Sequence, residues 1–213
     1  MNRFLSDKDK AIINTIIDQT KDGPADLLEL LKNNFFLNNA LLYNPKEKRI
    51  SLAYPVGSNQ KAHVADLWNL FSLINYLEEN SYIIITPFES HDDKPLKCVW
   101  SKAWIDYKEI KGKIHLADNI IWEQGKIYEN GSHTLDIVAL TNECYYAKFK
   151  SWFGYIYPLK KLHELVLHDF RTVEDLRYEE SIKWSRYAGR MAAAGAFVAG
   201  AGALIALAGL IIA

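Results

Sequence analysis

The chain has only two cysteines, Cys98 and Cys144, far apart and outside any CxxC pair. That excludes a disulfide scaffold and a cysteine zinc site, and leaves both as reduced core thiols of a cytosolic domain. The formal net charge is -1, which excludes bulk electrostatic capture of DNA or anionic lipid by the whole molecule. The N-terminal MNRFLSDKDK has no apolar stretch of signal-peptide length, so neither secretion nor a processed, lipid-anchored tail is expected. No HExxH, GxSxG, Walker or GxGxxG pattern occurs, and the six histidines are scattered. Neither an enzyme, nor a bound metal, nor a cofactor is therefore expected. His91-Asp92-Asp93 reads as a surface loop without partner ligands at a recognisable spacing. It would matter only to a third reading, a membrane-anchored hydrolase.

Charge is also missing where it decides most. From Met191 to Ala213 there is no charged residue, no Asn, no Gln and no Pro. A helix of that length rises roughly 34 Å, slightly more than a hydrocarbon core. A soluble domain of this size cannot cover such a helix on every side. Lys183, Arg186 and Arg190 precede it, with Trp184 and Tyr187 among them, as at a membrane boundary. The expectation is a single span with its basic flank and the soluble body in the cytoplasm. Within the run, Gly195, Ala199, Gly202, Ala203, Ala206 and Gly209 recur at spacings of three, four and seven. In lipid such a stripe lets helix backbones approach, which favours a homo-oligomer over a lone anchor.

Before residue 191 the pattern is α+β. Ser6 with Asp9 opens a helix faced by Ile12, Ile13, Ile16 and Ile17. Asp22-Gly23-Pro24 ends it and starts a second, with Leu27, Leu28, Leu30 and Leu31 inward. Strands are expected at 37–43 and 49–54, then an amphipathic helix over 60–79 and a strand at 82–86 buried on both faces. This N-terminal region, 1–90, is helix-and-hairpin and loosely winged-helix-like, although the third helix offers only Lys61 and His63 toward DNA. Residues 91–158 read as β-rich, with Asn130-Gly131 a two-residue hairpin turn. Connecting helices fill 159–190, where Thr172 with Asp175 resembles a capping box. From there nothing breaks a helix before the uncharged run of 191–213.

One stretch carries binding chemistry. KPLKCVWSKAWIDYKEIKGK, residues 94–113, has six lysines against Asp106 and Glu109, with rings interleaved. Lys97, Trp100, Lys102, Trp104, Tyr107, Lys108 and Lys111 combine phosphate-tracking cations with base-stacking rings. The alternation equally fits a strand pair with rings inside and lysines outside. Both readings stand on the sequence.

FRTVEDLRYEESIKWSRYAGRMAAAGAFVAG resembles the junction of small bacterial antiviral membrane effectors. The whole plan, a nonenzymatic domain followed by a terminal span, most resembles the membrane effector of the Hailong defence system. The resemblance implies an oligomeric channel in the bacterial inner membrane that depolarises infected cells and arrests growth. It also implies a nucleotide or oligonucleotide ligand, made by a partner nucleotidyltransferase. The alternative is a tail-anchored, winged-helix-like binding adaptor or regulator with no channel activity.

Overall fold

Local capping chemistry sets most of the helix starts in the computed structural model, which describes residues 5–45, 47–88, 97–110, 113–140, 143–172 and 174–188. The uncharged run of 191–213, the His91-Asp92-Asp93 loop and Lys111 lie outside the described residues. Helix α1 (Asp7–Gln19) opens with the expected capping box, Ser6 accepting from Asp9 N–H while the Asp9 carboxylate accepts from Ser6 N–H. Helix α2 (Leu27–Asn34) is capped by Asp26, whose carboxylate accepts from the Leu28 and Glu29 N–H groups. Asn59 caps α3 (Gln60–Glu79). Two shorter helices follow, α4 (Glu143–Ser151) and α5 (Lys160–Leu167). A further helix covers residues 174–188, after the Thr172–Asp175 capping box, in which Thr172 Oγ1 donates to the Asp175 carboxylate at 2.7 Å. Among the described residues no helix is long and apolar enough to cross a membrane.

The strands confirm an α+β chain. In order they are β1 (Ala25–Asp26), β2 (Ala40–Asn44), β3 (Arg49–Pro55), β4 (Ile83–Pro87), β5 (Lys97–Val99) and β6 (Lys108–Ile110), followed by β7 (Lys113–Ala117), β8 (Ile120–Glu123), β9 (Lys126–Glu129), β10 (Ser132–Leu140) and β11 (Gly154–Pro158). Eight form one antiparallel sheet in the order β5-β2-β3-β10-β9-β8-β7-β6. Its ends meet: Cys98 N–H donates to Ile105 O at 2.7 Å, and Lys97 bridges Asp106, just before β6 begins. The sheet therefore curls into a barrel-like layer whose interior is filled with side chains, as eight strands allow. The Gln124-Gly125 and Asn130-Gly131 turns have positive φ at both positions, as tight two-residue hairpins need. The remaining three strands make a second antiparallel sheet, β1-β11-β4.

The hairpin β2–β3 lies inside the sheet, with β5 and β10 hydrogen-bonded to its two outer edges. Strands from both sides of residue 91 share this sheet, and the chain clusters as two compact units, Arg3–Glu164 and Leu165–Ala213. One expectation is corrected here. Strand β4 is buried on one face only. Ile83 and Ile85 point inward, while Ile84 is 49% exposed opposite Tyr157.

Adjacent residues on β2 and β3 serve two cores. Ala40, Leu42 and Ala53 line the barrel interior, whereas Leu41, Tyr43 and Leu52 face the other way and are equally buried. On that outer side Tyr43 stacks on Tyr146 at 5.2 Å and meets Phe153 edge-on at 4.9 Å. Phe71 of α3 lies 4.5 Å from the Trp152 ring, joining α3 to the segment after α4.

Gly154 pairs opposite Pro87 where β11 meets β4. An added Cβ would fall on the Thr86 carbonyl and within 2.8 Å of Pro87 Cα. Gly154→Ala should cost about 1–3 kcal/mol in urea unfolding, as overpacking against backbone does. Gly57→Ala, with open space around its Cβ position but φ of 77°, should show only the smaller strain of a left-handed alanine, about 1 kcal/mol.

Candidate functional site

The stretch from Lys97 to Lys108 runs along the seam of the curled sheet, and burial decides what its rings can do. Trp100 is 2% exposed and Tyr107 is 3% exposed. Both belong to the interior cluster with Cys98, Leu42, Leu116, Ile127 and Leu135. Trp100 Nε1–H donates to Leu37 O at 3.2 Å, and Tyr107 Oη–H points to Tyr43 O at 3.5 Å. Neither ring is available to stack a base. Trp104 is the one ring of the three that reaches solvent, at 43% exposure.

Two of the four lysines are engaged within the fold. Lys97 pairs with Asp106 across the seam, and Lys102 pairs with Glu129 at 2.9 Å. Lys102 Nζ also sits 5.7 Å from the Trp100 ring centroid. Lys108 lies in β6, and Lys111 falls outside the described residues. Two of the three rings are therefore packed inside, while Trp104 stays at the surface. The same interior holds Cys98, whose thiol is pushed above its ordinary range by burial. Among the described residues no group of three or more His, Cys, Asp or Glu side chains could hold a metal ion.

A different concavity lies in the same unit, between α1 and α3, over β3. It is a cleft of about 530 Å³, within the range of small-molecule sites. Ile12, Phe35, Phe36, Leu52, Leu67 and Leu70 supply its apolar lining. Lys8 of α1 and Asp66 of α3 pair at 3.0 Å, both side chains more than half exposed. His63 and Asn39 also line the cleft. Asn39 Nδ2 lies 3.2 Å from His63 Nδ1, and His63 Nε2 lies 2.9 Å from Ser58 Oγ. The Tyr54 ring stacks on the imidazole at 5.9 Å.

Sequence reasoning missed this cleft because its residues come from four separate segments, each reading only as the inner face of its own element. His63 on α3 was the sole visible signal. Comparison with known proteins yields no family model, curated protein or solved structure that matches the chain.

Burial also raises the Tyr43 and Tyr107 phenols above their ordinary value of 10.0, with the Tyr146 hydroxyl as a second cause at Tyr43. An acid held neutral in the folded state binds more protons than the unfolded chain does above pH 10. Its stabilising share is present below that pH and is lost as pH rises through the folded value. Phenolate absorbance should therefore appear with unfolding at Tyr43 and Tyr107, not before it, and Tyr107→Phe should reduce the alkaline loss of stability. Substitution separates the seam's parts as well. Trp100→Ala should cost about 3–5 kcal/mol in denaturant unfolding, while Lys102→Ala should cost under about 1 kcal/mol, as an exposed pair does.

Proposed function

We propose that the protein is a membrane effector of a bacterial anti-phage defence system. In this reading residues 191–213 are its inner-membrane span, copies associate through the small-residue stripe, and a nucleotide or oligonucleotide bound to the cytosolic part gates the resulting channel. The observation that carries the reading is the 23-residue uncharged run of 191–213, rich in Ala and Gly, close after the helix of 174–188. A greasy anchor would use Leu, Ile and Phe throughout. Small residues at helical spacing serve close packing instead.

The helix of 174–188 supports the same assignment. Trp184 and Tyr187 are 70% and 57% exposed and meet edge-on at 6.1 Å. Exposed rings beside Lys183 and Arg186 are the residues found at headgroup level. Arg171 pairs with Glu179 at 3.1 Å over the first turns of that helix. The defence role and the nucleotide class rest on the resemblance of the junction and of the whole plan.

Induced expression should collapse the membrane potential, read with a potential-sensitive dye. Gly195→Leu with Gly202→Leu should abolish the collapse at unchanged membrane content. A membrane that stays polarised at high expression would remove the channel from the reading. Activity that survives exchange of 191–213 for an unrelated single span would favour the tail-anchored adaptor.

A further inference from the structure

We infer that the cleft between α1 and α3 is a binding site for a neutral, predominantly apolar small molecule with one hydrogen-bonding end. The inference goes beyond the effector reading and does not depend on it, since it concerns only residues of the unit Arg3–Glu164.

Charge fixes the class. Three ionic side chains line the cleft, Lys8, Asp9 and Asp66, and each is already engaged. Lys8 and Asp66 pair with each other at 3.0 Å. The Asp9 carboxylate accepts from Ser6 N–H at 3.0 Å and from Ser6 Oγ–H at 2.9 Å, holding the start of α1. Among the described residues a phosphate or carboxylate ligand would find no cation to spare here, and an ammonium would have to break an existing pair. An unpaired charge held against Phe35, Leu67 and Leu70 is strongly disfavoured. An apolar body gains from the same surface at roughly 25 cal/mol per Å² removed from water.

Hydrogen bonding fixes the polar end. Ser58 Oγ–H donates to Pro55 O, so Ser58 has no second proton and can only accept from His63. His63 must then carry its proton on Nε2, donating to Ser58 Oγ, and accept at Nδ1 from Asn39 Nδ2–H. This chain uses both imidazole nitrogens within the fold, with Tyr54 stacked on the ring face. It leaves one atom over. Asn39 Oδ1 is buried and accepts from no donor among the described residues, a cost that a native site seldom carries without a use. Asn39 as a residue is only half-buried and lines the cleft, so a small tilt of the amide that keeps its bond to His63 opens this oxygen to a ligand. One hydroxyl or N–H on the ligand then supplies the missing donor, while its body lies along the apolar lining.

The test uses the full chain in lipid nanodiscs and a dodecanol analogue carrying a photoreactive diazirine. Labelled peptides are mapped by mass spectrometry, with dodecanol, dodecanoate and dodecylammonium as competitors that share one body. Labelling is expected within residues 5–12 and 60–70, displaced by dodecanol about tenfold more effectively than by either ion. Leu67→Trp, which fills the cleft, should remove it while the chain keeps its folded circular-dichroism spectrum. Should Leu67→Trp fail to fold, Ala11→Trp at the exposed rim gives the same reading. Asn39→Leu should erase the preference for the alcohol over dodecane as competitor while labelling persists. Labelling confined to residues 191–213, labelling that survives both tryptophan variants, or stronger competition by an ion would overturn the inference.

Discussion

The meeting of the two ends of the large sheet governs what every other part of the unit Arg3–Glu164 can do. An open eight-stranded sheet would present two rows of unpaired backbone groups. Here the chain leaves β5, turns through residues 100–104 and returns antiparallel to it. The Cys98 N–H finds Ile105 O, and Asp106 meets Lys97. Strand β6 then starts at the opposite end of the sheet. The enclosed volume must be filled, and Trp100, Tyr107, Leu116, Ile120, Ile127 and Leu135 fill it. Trp100 and Tyr107 are thus committed by closure. A ligand could claim either ring only by emptying the barrel.

Closure also determines where a cleft can form. With one face of β2 and β3 turned to the barrel interior, their other face must be covered by helices, and its burial pattern is almost continuous. Helices α3 and α4 contact β3, while α2 contacts β5 and β11. Leu52, next to the inward Ala53, becomes the floor between α1 and α3. The cleft is what remains where two helices share one strand and the Lys8–Asp66 pair, not packed side chains, spans the gap.

Local signals were legible in the sequence because their physics is local. The Ser6–Asp9 and Thr172–Asp175 boxes, the Asn130-Gly131 turn and the full length of α3 needed no knowledge of partners. Strand β1, two residues long, and α4, whose apolar positions follow no clean helical period, exist through tertiary contacts. The run Ile83-Ile84-Ile85 has no period to betray that Ile84 faces solvent. The pattern at residues 97–108 was compatible with a ligand platform and with a packed seam. Only the packing of Trp100 and Tyr107 against residues of distant strands, such as Leu42, Ile127 and Leu135, distinguishes them, and no window of sequence contains the volume that has to be filled. The α+β class was accordingly readable, whereas the barrel and the cleft were not.

The lysine-rich look of that seam has a physical use once the pairs are placed. Lys97, Lys102 and Lys113 each meet a carboxylate, on Asp106, Glu129 and Glu123 respectively. Such pairs, each with at least one half-exposed partner, contribute about 1 kcal/mol or less each and weaken with salt. They cannot hold the barrel together, which the buried interior does. What they do is tie the turn after β5 and the strand ends to their neighbours, Lys102 reaching Glu129 of β9 and Lys113 of β7 reaching Glu123 of β8. These three lysines are therefore used within the unit. At the α1–α3 cleft apolar side chains alternate with polar ones, the described ionic groups are engaged, and one buried oxygen lacks a donor among the described residues. Recognition there has to work through shape and a single hydrogen bond, the opposite of what the lysine count alone would lead one to expect.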